Sequence, residues 1–162
     1  DALTVHRLDM ATSGLMVFAR GAEAHRTLSK AFAERQVSKR YIAVVVGELT
    51  GDGEVDLPLI TDWPNRPRQK VDYDIGKPSL TRYRVVGHEE GMTRVELEPV
   101  TGRSHQLRVH MMAIGHPILG DVFYAPPEIE ALSPRLLLHD CRLSLPHPVS
   151  GEVMDFRSAA LF

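Results

Sequence analysis

The 162-residue sequence contains one cysteine, Cys141, and one tryptophan, Trp63. A single cysteine excludes an internal disulfide and any zinc site built from several thiolates, and it suits a reducing compartment. No stretch approaches the roughly 18 consecutive apolar residues that a membrane helix needs. The opening DALTVHRLD has neither the basic nor the apolar segment of a signal peptide. A cytoplasmic protein that does not engage a membrane is therefore expected. There is no HExxH pair, no GxSxG elbow, no internal repeat and no low-complexity tract. Charge of one sign is lacking as well: 19 basic residues face 21 acidic ones, for a net charge of −2. The total alone gives no general attraction to nucleic-acid phosphate.

What is present is an ordinary globular composition, 43% apolar and 25% charged, enough for one domain with its own core. The chain opens on Asp1, and an apolar run around Leu3 and Val5 starts almost at once, as though a strand had been cut into. We therefore expect a single domain over residues 1–162 that lacks an N-terminal segment. The charges are segregated. Arg66, Arg68 and Lys70 have no acid between them, and neither do Arg103, His105, Arg108, His110 and His116. Acids collect instead at Asp52, Glu54 and Asp56, at Glu89 and Glu90, and at Glu128 and Glu130. One basic face on an acidic body would serve phosphate binding; solvated surface charge is the plainer reading.

Residues 15–20 (LMVFAR) read as a buried strand leaving the Thr12-Ser13-Gly14 turn. Ala24, Leu28, Ala31 and Phe32 fall at helical spacing within 22–35. Residues 41–46 (YIAVVV) form a β-branched strand ending at Gly47, and 51–59 a short glycine-punctuated one. The alternating runs 81–86 and 93–100 make a hairpin turning at Gly91. Ser104 is a candidate N-cap for a helix reaching about Ile114, which Gly115 and Pro117 would end. A short helix over 127–132 and strands over 136–145 and 152–156 complete the chain. Strands without regular βαβ alternation predict an α+β fold with a largely antiparallel or mixed sheet, flanked by a few helices.

Asp9 lies between a strand-like segment and the TSG turn. An aspartate there is usually a cap or a salt-bridge partner, and spacing alone assigns it no chemistry. Arg108 alone would be a helix-surface arginine, and Tyr41 a strand tyrosine. His105, His110 and His116 lack the spacing of a metal site, so no metal is expected; in a basic helix they more simply contact phosphate or cap neighbours.

The runs HRLDMATSG, SKRYIAVV and TGRSHQLRVHM, in this order and at these separations, resemble the sequence blocks of RluA-type pseudouridine synthases. The resemblance continues through DWPNRPRQK, GKPSLTRY, GHPILGD and LLLHDCRL, and thus along nearly the whole chain. The family's upstream block, near a Lys-Pro-Ser-Gly run, is missing. The resemblance implies a pseudouridine synthase fold and the catalytic domain of an RNA-modifying isomerase that needs no cofactor, with a monomer expected. Its aspartate nucleophile falls on Asp9, its active-site tyrosine on Tyr41 and its active-site arginine on Arg108. Arg7 matches the arginine that fills the gap left by an extracted nucleotide. DWPNRPRQK resembles the RluA subgroup, which implies large-subunit ribosomal RNA and transfer RNA as partners, with Arg66, Arg68 and Lys70 contacting RNA beside Arg103 and His105. The competing reading is an RNA-binding or chaperone module without catalysis. Asp9 argues against it, because a pure binder gains nothing from a carboxylate among Arg7, Arg103 and Arg108, where it would repel phosphate.

Overall fold

The computed structural model describes residues 2–162. Strand β1 (Ala2–Thr4) is followed by the loop that carries Asp9, then by β2 (Ser13–Gly14), β3 (Phe18–Arg20) and helix α1 (Ala22–Ala33). Next come β4 (Ser38–Val46), β5 (Asp52–Asp56), β6 (Leu59–Thr61) and β7 (Gln69–Val71), with a 3-10 turn at Trp63–Asn65 between the last two. The long hairpin β8 (Leu80–Glu89) and β9 (Met92–Pro99) precedes helix α2 (Gln106–Ala113). A one-turn helix α3 (Pro127–Glu130) and strands β10 (Leu138–Pro146) and β11 (Val153–Arg157) end the chain.

The main sheet runs β11-β10-β4-β9-β8-β5 with antiparallel neighbours, and β2 joins it parallel to β10. The class is α+β with a mixed, mostly antiparallel sheet. Period-two alternation decides which face is buried. Tyr41, Ala43 and Val45 of β4, Val95 and Leu97 of β9 and Leu138 of β10 point to one side, where Leu107 and Met111 of α2 cover them with Ile118. The opposite face is charged. Arg82 stands across from Glu98 and Arg84 from Glu96, and Arg40 Nη1 reaches Glu98 at 2.8 Å. Such exposed pairs add little stability each, but they keep this face of the sheet in water.

Strand β10 carries the local irregularity that matters most. Asp140 faces Tyr41, yet the next pair is Arg142 with Arg40, so Cys141 is an inserted residue. The bulge switches the parity of the strand, leaving Leu143 and Leu145 on the same face as Leu138 and Asp140. Leu143 and Leu145 therefore pack with Ala19 and Leu28 in a second cluster, under β1, β3 and α1.

The structure corrects several sequence expectations. Ser104 does not cap α2; His105 occupies that position in a left-handed conformation, φ 54°, and no side chain caps the helix. The first amide needs no cap, because Gln106 N–H donates to Arg103 O at 3.2 Å. The strand expected over 15–20 is ordered as a strand only at Phe18–Arg20, and only Ala19 of it is buried, since it pairs with β1 alone. The expected hairpin is present, its turn two residues long with Glu90 and Gly91 both at positive φ, the form that matches the twist of the flanking strands.

Candidate active site

The loop carrying Asp9 is fastened to β10. Thr12 N–H donates to Asp9 O at 2.9 Å and Leu15 N–H to Asp140 O at 3.0 Å. Gly14 sits at φ +119°, where a Cβ would stand 2.3 Å from Asp140 O; only glycine permits that approach. Ser13 Oγ lies 2.8 Å from His139 Nδ1 and accepts from Arg135 Nη2 at 2.7 Å. The TSG turn thus holds Asp9 against the sheet with its side chain 24% exposed.

Arg108 comes from the interior of α2 and is almost wholly buried. Its Nε and Nη2 donate to the two oxygens of Asp121 at 2.9 and 2.6 Å. Asp121 also accepts from the Phe123 and Tyr124 amides at 3.0 and 3.2 Å. The Phe123 and Tyr124 rings lie 5.4 and 5.3 Å from the guanidinium. One nitrogen, Nη1, is left over, and it stands 3.6 Å from Asp9 Oδ2. Burial works against the arginine's charge, but the hydrogen bonds and charge of Asp121 outweigh it and hold the pKa above its ordinary value. The result is a guanidinium set in place before any substrate arrives, the preorganised electrostatics that catalysis favours. Sequence reasoning missed Asp121. Its signal was the GHPILGD run, which ends on a glycine and this aspartate.

Tyr41, Lys39, Arg7, Arg103, His105 and Gln106 line a cleft with Asp9. Its volume is about 80 Å³, below the roughly 300 Å³ where ordinary ligand pockets begin. Burial, the charges of Asp140 and Asp9, and the contact with Asp140 push the Tyr41 hydroxyl well above the usual phenol range. The phenol therefore enters any reaction protonated.

The cleft wall is internally satisfied. Gln106 Oε1 accepts from Thr101 Oγ1 and Arg103 N–H, and its Nε2 donates to Leu80 O and Thr81 Oγ1. Arg103 donates to Pro78 O at 3.3 and 3.2 Å. Tyr124 Oη accepts from Gln69 N–H at 2.9 Å and lies 2.5 Å from His105 Nδ1. The arrangement that gives the hydroxyl proton an acceptor has Tyr124 donating to Nδ1, so the ring proton of His105 sits on Nε2. Burial and the Arg108 charge lower the His105 pKa against the pull of Asp9, which keeps the ring neutral.

The other basic candidates lie apart from the cleft. Arg66 stacks on Trp63 at 4.9 Å. Arg68 is half-buried, 5.0 Å from the Phe123 ring and bonded to Phe123 O at 3.3 Å. Lys70 is exposed on β7. The structure corrects the expectation that His110 and His116 meet phosphate or cap neighbouring residues. His110 is fully buried between Thr81 Oγ1 and Leu57 O, and His116 bonds Val46 O at 2.8 Å.

Comparison with known proteins gives a consistent result. The profile of a family described as RNA pseudouridylate synthase matches residues 2–113. The chain is 56% identical over 164 residues to the Escherichia coli K12 protein named dual-specificity RNA pseudouridine synthase RluA, covering 100% of this chain and 75% of the relative. Its identity to the Pasteurella multocida Pm70 protein of the same name is 55% over 159 residues, 97% of this chain and 73% of the relative. Among solved structures, human RNA pseudouridylate synthase domain containing 1 superposes with a TM-score of 0.88 at 30% identity, over 98% of this chain and 69% of that one. Human RNA pseudouridylate synthase domain containing 4 gives 0.80 at 26%, over 98% and 71%.

Proposed function

The chain belongs to the RNA pseudouridylate synthase family and is an isomerase acting on uridine in RNA, and from that premise we infer that Asp9 is its nucleophile, working against Arg108 with Tyr41 beside the base. The observation that supports this reading is the single free guanidinium nitrogen of Arg108, aimed at Asp9 from a buried, fully held side chain.

The reaction exchanges the bond between uracil N1 and ribose C1′ for one between C5 and C1′. One proton leaves C5 and one arrives at N1, so no cofactor or metal is called for. The Asp9 carboxylate attacks the ribose carbon or adds to the base ring, a role that carboxylates fill in covalent catalysis. Arg108 orients the carboxylate through the Nη1 contact. The Tyr41 ring packs against the base, while Arg103 and the neutral His105 form the rim.

A stacked uridine cannot enter a cleft this narrow. It must leave its helix, at a cost of a few kcal/mol, with the cleft opening around it. Arg7, exposed at the mouth, fills the space the nucleotide leaves. Arg66 and Lys70 contact the flanking backbone; Arg68 acts there by supporting Phe123. We read residues 1–162 as one catalytic domain, acting as a monomer in the cytoplasm on large-subunit ribosomal RNA and transfer RNA.

The test is to incubate the protein with both RNA classes and quantify pseudouridine by mass spectrometry of nucleosides. Turnover is expected with the parent and none with Asp9→Asn. Turnover that persists in Asp9→Asn would remove the nucleophile from this reading, and binding without turnover by the parent would favour a non-catalytic RNA module.

A further inference from the structure

Asp140 is a buried carboxylate whose contacts, with Tyr41 and the Arg142 amide, fall short of full pairing. It is 0% exposed, and neither oxygen is in a well-formed hydrogen bond. It lies between the two apolar clusters, with Leu138 on one side and Leu143 on the other. A buried carboxylate left so poorly paired is costly, which makes its presence a sign of use rather than of packing.

Its surroundings indicate that use. Asp140 is the direct cross-strand partner of Tyr41, on the same face of the sheet. Each side chain perturbs the other through charge or direct contact. Lys39, two residues from Tyr41, also lines the cleft; burial lowers its pKa, and the Asp140 charge opposes that shift. Backbone fixes the carboxylate on the far side, where Gly14 pairs against Asp140. Tyr41 therefore adjoins both the cleft and Asp140.

The inferred reaction requires a base for the C5 proton. Arg108 is a cation and Asp9 is engaged as nucleophile, while the Asp140 charge favours the protonated form of Lys39 against its burial. A lone buried phenol is a poor base, because it would have to become a phenolate against burial and two nearby carboxylates. A phenol that releases its own proton as it receives another avoids that state.

Resting on the reading of this cleft given above, we propose that Asp140 is a positioning residue that acts through Tyr41 as the terminal proton acceptor of a relay. The C5–H electron pair returns to the uracil ring as the C5–C6 double bond. The C5 proton passes to Tyr41 Oη, and the phenol proton passes to an oxygen of Asp140. Asp140 ends neutral and returns its proton to solvent when product leaves, while N1 takes up one proton, so the atoms balance with no other reactant.

The experiment uses RNA carrying 5-deuterouridine at the modified position and compares turnover of parent, Asp140→Asn and Tyr41→Phe. With the relay removed, loss of the C5 proton becomes the slow step. Turnover is expected to fall about 10²-fold or more, with a deuterium isotope effect larger than that of the parent, while RNA binding stays unchanged. The double variant should be no slower than the slower single one, because residues acting as a unit are not additive. Parent-like turnover and isotope effect in Asp140→Asn would overturn the proposal. A fall in turnover without a rise in the isotope effect would overturn it equally, since that is what a purely structural residue gives. Asp140→Ala repeats the measurement if the Asn variant does not fold. Asp9→Asn, run in parallel, separates the two ideas: an active Asp9→Asn removes the reading of the cleft, whereas an inactive one beside a parent-like Asp140→Asn removes only the relay.

Discussion

Arg108 presents Nη1 to Asp9 Oδ2 at 3.6 Å while Asp121 holds the rest of its guanidinium. Asp121 therefore sets the geometry without touching substrate. Replacing it by Asn keeps the shape and removes the charge that balances a buried arginine. Breaking such a pair costs roughly 3–5 kcal/mol. Asp121→Asn is expected to unfold at lower urea concentration and, where still folded, to lose turnover by 10-fold or more with RNA affinity little changed. Chemical denaturation together with single-turnover kinetics checks both. Parent-like kinetics in a folded variant would mean that Asp9 alone suffices to hold Arg108.

Gly14 tests how Asp9 is placed. A Cβ at this position meets the Asp140 carbonyl at 2.3 Å, on backbone at φ +119°. Neither atom belongs to a flexible side chain, so β2 must pull away from β10. Gly14→Ala is expected to destabilise the fold by about 2 kcal/mol or more and to depress turnover beyond that, because the displaced turn carries Asp9. Hydrogen exchange at Leu15, whose amide bonds Asp140 O, should speed up even when the global fold survives.

Asp140 gives the protein a pH signature. Burial pushes its carboxyl up to about 7, against the opposing Lys39 charge, the Tyr41 contact and the Arg142 amide. The folded pKa lies above the unfolded one, so folding retains a proton that the unfolded chain releases. Its contribution to stability is therefore greatest in acid and is lost as pH rises from about 4 to about 7, by up to the order of 4 kcal/mol. His6 slopes the other way: burial and Lys39 lower it to about 4, which costs stability as pH falls below its ordinary value. The informative quantity is the difference between parent and Asp140→Asn at each pH. The variant is expected to gain on the parent between pH 4 and 7, with the gap level above pH 7. A gap that does not change with pH would show that Asp140 titrates alike in the folded and unfolded chain, and one that keeps growing above pH 7 would show that it stays neutral in the fold. The relay needs the ionised form, so turnover should rise over the range in which stability falls.

How far this site could be read from sequence follows from where its parts lie. Asp9, Tyr41 and Arg108 stand in runs dense enough to resemble a known family, and the α+β class followed from strand alternation. Asp121 and Asp140 also stand in such runs, GHPILGD and LLLHDCRL, yet outside the residues 2–113 that the family profile matches. Their partners are fixed by tertiary contact, 13 residues apart for Arg108 and Asp121 and across two strands for Tyr41 and Asp140. Strict alternation along β10 would place Arg142 inward with Asp140 and leave Leu143 in water. The bulge at Cys141 reverses that, and no local pattern announced it. Ser104 misled for a similar reason: its composition suits a cap, but the buried Gln106 network sets the backbone there.

The basic residues divide by what already occupies them, and salt dependence should reveal the division. Arg82 and Arg84 are matched to Glu54, Glu96 and Glu98 on the outer sheet face. Arg68 is tied to Phe123 O. Lys70 and Arg66 are exposed and take part in no ion pair among the described residues, so each is available to a phosphate. Losing one such contact to single-stranded RNA should flatten the slope of log affinity against log salt by about 0.7. Arg66→Ala and Lys70→Ala are expected to show that change with turnover at saturating RNA preserved, because neither residue reaches the cleft. Arg82→Ala is expected to leave the slope alone, since its charge is already balanced by acids on the same face. A slope that flattened for Arg82→Ala and not for Lys70→Ala would move the RNA to the opposite side of the sheet, where Asp9 could not reach a uridine.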